Sequence, residues 1–478
     1  MAETLKQQTK KGLYWSALKN FANQGMRFTF SIILARLLSP DAYGVIGMLS
    51  IFICIVSSFI DCGFSQALIA KADRTQKDFS TEFWFNIGVG IIGYLILFIL
   101  SPYIAQFYNM PILSPILKVI GIGIIINSLC VVQDAQFAIR LDFKTPAKIS
   151  ITTQLASGII GIIMAYYGCG VWALVFQQIG GNILNAILLW ILAGWRPTME
   201  FSKNSFNYLW GYGSKVLGSS LVQQIYDNLY PLVIGKFFDS RQLGLYSRAN
   251  GFATLPSTNL SGILGGVTFP VLSKLNNDRV KLISVYRKMI KCTAFLVFPL
   301  MIGMSATSEP LVKVFLNEQW HECIIMLQII CCALIWQPLS FLQINVLKTI
   351  GRTDIILKLE IMKRSVGLIT IFASIPFGVV GMCWGFVIFY IYCFTLNTMY
   401  TSKALKISLI QQIKDILPIL LNAVLMGLIV YVCTQLLHIS LLFILIISIL
   451  IGIVYYFISA NLFMKQLLYD TISIIKKN

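Results

Sequence analysis

Long apolar stretches follow one another along this chain with only short loops between them. A helix of roughly 20 apolar residues crosses a bilayer. Inside lipid, a helix bonds all its own backbone groups. Fourteen stretches qualify, at about 13–36, 42–69, 81–106, 113–139, 148–168, 171–194, 208–237, 243–270, 284–307, 322–347, 355–376, 379–402, 412–436 and 440–463. Charged residues make up 12% of the chain, against about 25% in soluble proteins. The expected fold is an all-α integral membrane protein with no soluble domain. The first stretch is too long and too charged for a signal-peptide core, so it is expected to stay as the first span.

The few charges are unevenly placed. Formal net charge is +18. On a soluble chain this would point to nucleic acid. Here the cations collect in loops after even-numbered spans: Lys71, Arg74 and Lys77, then Arg140, Lys144 and Lys148, then the run from Lys274 to Lys291. Such a bias marks cytoplasmic loops. It predicts both termini in the cytoplasm, an even number of spans, and no nucleic-acid partner.

The first span breaks the apolar pattern. Ser16, Lys19, Asn20, Asn23, Arg27 and Ser31 recur every three or four residues and share one helical face. A cation at mid-bilayer costs about 3 kcal/mol on insertion scales, so the stripe must face a partner or a wet cavity. About 200 residues on, Lys215, Ser219, Gln223 and Asp227 repeat it. Tyr43-Gly44-Val45 then aligns with Leu243-Gly244-Leu245, and Asn109 with Asn317. The chain reads as two copies of a six-span unit in the same orientation. The expected lobes are 1–200 and 201–406, with two further spans and a tail in 407–478.

Four cations are placed within spans: Lys19, Arg27, Lys215 and Arg248. These are candidates for binding an anionic substrate group. Lys19, Lys215 and Arg248 have the competing option of snorkelling to headgroups. Asp61, Asp134 and Asp227 are the acids, candidates for a gate or for ion coupling; Asp61 and Asp134 have the equal option of pairing with nearby loop lysines. Asp227 aligns with Arg27, and a buried ion pair between the halves is the structural alternative. Pro231, four residues beyond Asp227, removes a hydrogen bond to its carbonyl and is expected to bend the helix there. Asn23, Gln24, Asn127, Gln178, Asn182, Gln223 and Gln337 complete the polar set. They suit sugar hydroxyls and equally serve as helix–helix glue.

Other motifs carry no chemistry. Gly88 to Gly93 fits GxGxxG but lies inside an apolar span with no strand before it. Gly381 and Gly385 form GxxxG, which favours close helix packing. The eleven cysteines are scattered through apolar runs, and His321-Glu322-Cys323 is a poor metal set. No metal, catalytic residue or direct ATP use is expected.

Ile33–Met48 (ILARLLSPDAYGVIGM) and Asp61–Ile69 (DCGFSQALI) resemble the first hairpin of bacterial O-antigen and exopolysaccharide flippases. Leu243–Phe252 (LGLYSRANGF) and Phe269–Leu275 (FPVLSKL) resemble its second-half counterpart. These are the Wzx-type, colanic-acid-exporter-like proteins in the polysaccharide transporter branch of the multidrug/oligosaccharidyl-lipid/polysaccharide (MOP) superfamily. The resemblance implies a MATE-like fold, with the two repeats around a central cavity. It implies inner-membrane translocation of an undecaprenyl-diphosphate-linked oligosaccharide by alternating access, coupled to H+ or Na+. A polysaccharide polymerase and a chain-length regulator are the implied protein partners. A MATE-like drug/ion antiporter, a peptidoglycan-precursor flippase and a membrane polysaccharide polymerase are the alternatives; the last lacks a substantial outer loop here.

Overall fold

The computed structural model describes residues 5–60, 62–71, 73–275 and 277–476, and every regular element among them is helical. Twenty α-helices follow in order. The first ten are α1 (Leu5–Leu37), α2 (Pro40–Ile60), α3 (Phe64–Ala70), α4 (Gln76–Phe107), α5 (Leu113–Ser128), α6 (Val131–Ile139), α7 (Lys144–Tyr166), α8 (Val171–Leu192), α9 (Lys203–Asp227) and α10 (Leu229–Phe237). The others are α11 (Ser240–Lys274), α12 (Arg279–Ala306), α13 (Ser308–Phe315), α14 (Cys323–Leu334), α15 (Gln337–Thr349), α16 (Thr353–Ser374), α17 (Gly378–Leu405), α18 (Leu409–Leu436), α19 (Leu441–Phe463) and α20 (Lys465–Lys476).

Among the described residues, ten segments are long and apolar enough to cross a membrane, and one of them, 353–405, holds both α16 and α17. The chain is thus a multi-pass membrane protein. Helices α1, α9 and α11 are also long but are not among those ten segments. The expected count of fourteen includes these helices as spans.

The chain forms two compact units, 1–244 and 245–478. In the first, α7 packs on α1 and α8, α4 on α5, and α2 on α9 and α10. Helices α9 and α10, placed by sequence at the start of the second lobe, therefore pack within this unit. In the second, α12 packs on α18, and α17 on α14 and α16. Arg287 bonds Asp415 through Nε and Nη2 at 2.6 and 2.8 Å, Lys291 reaches the same carboxylate at 2.9 Å, and Lys288 meets Asp470 at 2.7 Å. These pairs tie α12 to α18 and α20. A Cβ on Gly385 would sit 3.1 Å from the Ser374 side chain, so this glycine of the GxxxG pair lets α16 and α17 pack closely.

Several expected spans are interrupted. The second breaks before Gly63, which has φ 84° and stands against Val216 of α9; a side chain there would be strained and crowded. The fourth span of each copy also breaks, at 129–130 and at 335–336. Carbonyls near both breaks find side-chain donors, as lipid-depth backbone requires. The Trp190 indole donates to the Leu129 carbonyl at 3.1 Å, and the Ser257 hydroxyl to that of Leu334 at 3.3 Å. Asn228 separates α9 from α10, between Asp227 and Pro231. Helix α1 is continuous because its aligned position is Ser31, which keeps its N–H.

The repeat also leaves a local signature inside the first unit. A Cβ on Gly44 would collide with the Ser240 carbonyl, and a Cβ on Gly244 with the Pro40 carbonyl. Pro40 aligns with Ser240 and Gly44 with Gly244, so the contact is reciprocal. Ser240 also donates to Asp41 Oδ1 at 2.6 Å.

A polar cavity in the first unit

Helix α1 turns part of its stripe toward α7. Asn23 Nδ2 donates to Ser150 Oγ at 2.6 Å, and Arg27 Nε to Gln154 Oε1 at 3.4 Å. Phe30 stacks into the space left by Gly158. The partners advance together along both helices, so α1 and α7 run parallel. Arg27 remains exposed at its tip, while Lys19 and Gln24 are half-buried. On α9, Lys215 is exposed and Gln223 Nε2 donates to both oxygens of Asp227 at 2.7 and 2.8 Å. Arg27 and Asp227 are not paired with each other: each is engaged by a glutamine instead.

A cavity of about 430 Å³ opens among α2, α3, α5, α6 and α8. Its polar wall comprises Ser57, Ser65, Asn127, Asp134 and Asn185. Two candidates far apart in function, Asn127 and Asp134, thus share one space. The α5–α6 break puts them there, because it turns α6 so that Asp134 is exposed while neighbouring Gln133 and Gln136 are buried. Asn182 crowds Gly123 of α5 and acts between helices, whereas Gln178 is exposed on α8. Asp61 lies outside the described residues.

Behind the Ser65 wall is a further carboxylate, outside the polar set drawn from the sequence. Ser65 Oγ donates to Glu82 Oε1 at 2.7 Å, and Glu82 is 0% exposed. Among the described residues its Oε2 has no hydrogen-bond partner, nor do the side-chain amides of Asn86 and Gln133, both also fully buried. One turn earlier on α4, Asp78 is satisfied: Lys71 reaches it at 2.8 Å, and it caps the helix by accepting from the Thr75 N–H at 2.7 Å.

In the second unit, Arg248 is buried with its guanidinium 5.3 Å from the centre of the Trp320 ring. Gln337 Oε1 accepts from Ser257 at 2.9 Å, beside the α14–α15 break. Both residues therefore help to hold the packing of their own unit.

Residues 33–325, more than half of the chain, match the family described as polysaccharide biosynthesis protein. This chain belongs to that family. Among similar proteins, the lipopolysaccharide biosynthesis protein WzxC of Escherichia coli K12 is 24% identical over 366 residues, covering 75% of this chain and 74% of that protein. The teichuronic acid biosynthesis protein TuaB of Bacillus subtilis 168 is 25% identical over 375 residues, 78% of each. The fold is that of the lipid II flippase MurJ in an inward closed conformation, with TM-score 0.76, 18% identity, and coverage of 95% of this chain and all of that one. An inward-facing MATE-family multidrug resistance transporter of the MOP superfamily aligns with TM-score 0.60 and 15% identity, covering 81% and 95%. The all-α MATE-like architecture expected from the sequence is thereby established for this family member.

The Glu82 layer did have a sequence signal. Asp78, Glu82, Asn86 and Gly90 recur every four residues, which aligns them on one face of α4. Starting the third span at 81 divided that stripe between loop and helix.

Proposed function

We propose that this protein is a flippase that carries an oligosaccharide linked to undecaprenyl diphosphate across the bacterial inner membrane by alternating access. The observation that carries this reading is the family match on a chain made almost wholly of membrane helices. The longest connection among the described residues is 193–202. A polysaccharide biosynthesis protein of this build has room to move a glycan through the membrane and little room to assemble one outside it. The MurJ-like fold supports a lipid-linked cargo rather than a free sugar.

In this reading Lys19, Arg27 and Lys215 meet the diphosphate, because their side chains are at least partly accessible. Charge-assisted bonds to phosphate are strong, and Arg adds a planar multidentate fork. Arg248 has a packing role first, given its place on Trp320. Arg27 and Asp227 form a gate in a second state; a glutamine is a neutral partner that a charge displaces. The termini face the cytoplasm, as the basic loops indicate.

Reconstitution tests the function. Proteoliposomes holding the purified protein and a fluorescent diphosphate-linked oligosaccharide are expected to expose the internal-leaflet glycan to an added membrane-impermeant glycosidase. Protection equal to that in protein-free vesicles refutes the reading. Export of cationic dyes with no glycan movement would instead support the drug-antiporter alternative.

A further inference from the structure

We propose that Glu82 is a proton-carrying site of the transport cycle, reached from the polar cavity through the Ser65 hydroxyl. The inference rests on the transport reading, and adds to it a carrier and a route.

A carboxylate taken fully out of water needs a cation or several donors. Glu82 has one neutral donor, Ser65, and a second oxygen without a partner. Among the described residues no ion pair includes it. Among the described residues, no cation on the elements packed on α4 pairs with it. Helix α2 carries Asp41 near its start, bonded to Ser240. Beyond α3, Lys71 is held by Asp78 and lies 5.4 Å from the centre of the Tyr208 ring. Arg74 in the same connection donates to the carbonyls of Leu68 and Ile69. Helix α5 carries Lys118, over the Phe98 ring, and α6 carries Asp134 in the cavity wall. On α9, Lys203, Lys215 and Asp227 are exposed. On α4 itself, Lys77 faces Glu200 at 3.9 Å.

A purely structural partner for Ser65 would not require an acid, since glutamine accepts the same hydrogen bond. What a glutamate adds is the ability to gain and lose a proton. Ser65 is placed to deliver it, because it both lines the cavity and donates to Glu82. A hydronium ion in the cavity gives its proton to Ser65 Oγ as the Ser65 proton passes to Glu82 Oε1. One O–H bond breaks at the hydronium, one forms at the carboxyl, and the hydroxyl is regenerated. Release is the reverse. Asn86, one turn along the same face of α4, is a buried neutral amide without a hydrogen-bond partner among the described residues.

The test has a substrate-free arm and an export arm. Infrared spectra of the purified full-length protein in lipid vesicles at neutral pH are expected to show a protonated-carboxyl C=O band that E82Q removes. Glu82→Gln is further expected to reduce export to the level of a strain lacking the gene, at unchanged protein level in the membrane, while Ser65→Ala retains the band and slows export. An unaltered spectrum in E82Q overturns the proton assignment, whether or not a glycan is ever transported. Normal export by E82Q overturns the role in the cycle, because glutamine preserves the Ser65 hydrogen bond and removes only the titration.

Discussion

Replacing Gly44 by alanine tests the reciprocal contact between the starts of α2 and α11. Helix propensity alone favours alanine by about 1 kcal/mol. The contact opposes it: the new methyl would overlap the Ser240 carbonyl and crowd Ser240 C and Cα. A flexible side chain can rotate away, but these are backbone atoms. The two helix starts must therefore part, which also strains the 2.6 Å bond from Ser240 to Asp41. Overpacking costs about 1–3 kcal/mol, and an immovable obstacle places this case at the upper end. The expected net effect is a loss of about 1–2 kcal/mol after the propensity gain. Gly244→Ala meets the Pro40 carbonyl in the same way. Once one methyl has separated the helices, the second meets less resistance, so the double variant is expected to lose less than the sum of the singles. Thermal unfolding of the purified protein in one detergent reads all four members of the cycle. A stabilised Gly44→Ala protein would show that propensity governs this position and refute the packing argument; strictly additive losses would refute the shared contact.

Trp190→Phe keeps the ring but removes the donor to the Leu129 carbonyl at the α5–α6 break. It is expected to destabilise by about 0.5–1.5 kcal/mol, the net worth of a partly buried hydrogen bond, read as a lower unfolding midpoint. Arg248→Ala is expected to lower stability by about 1–2 kcal/mol through loss of the Trp320 contact, whereas Arg27→Ala is expected to stay within about 0.5 kcal/mol. In a glycan-export assay normalised for membrane levels, Arg27→Ala is nevertheless expected to be impaired, and Arg27→Lys to recover it in part. Full export by Arg27→Ala would remove this residue from the diphosphate site.

The character of the chain was legible in one dimension. Apolar length forces helices, because only internal hydrogen bonding satisfies backbone in lipid. The 200-residue offset was visible in Gly44 and Gly244. Pro231 marked the interruption after Asp227, since a missing N–H is a covalent fact. The stripe on α1 was likewise legible as a face, but its partner α7 was not, because a periodicity carries no information about which helix lies opposite.

Tertiary structure decided what each polar group meets. It gave Arg27 to Gln154 of α7, although the alignment suggested Asp227, which instead bonds Gln223 one turn back on its own helix. It buried Arg248 against Trp320, and through the α5–α6 break it set Asp134 and Asn127 on one cavity. It also sealed Glu82 behind Ser65. In sequence Glu82 shares a face with Asp78, Asn86 and Gly90, but that periodicity does not say whether the face is wet or dry. The packing of neighbouring helices on α4, α3 with its Ser65 bond among them, removes its water, and desolvation is a property of surroundings contributed by other parts of the chain.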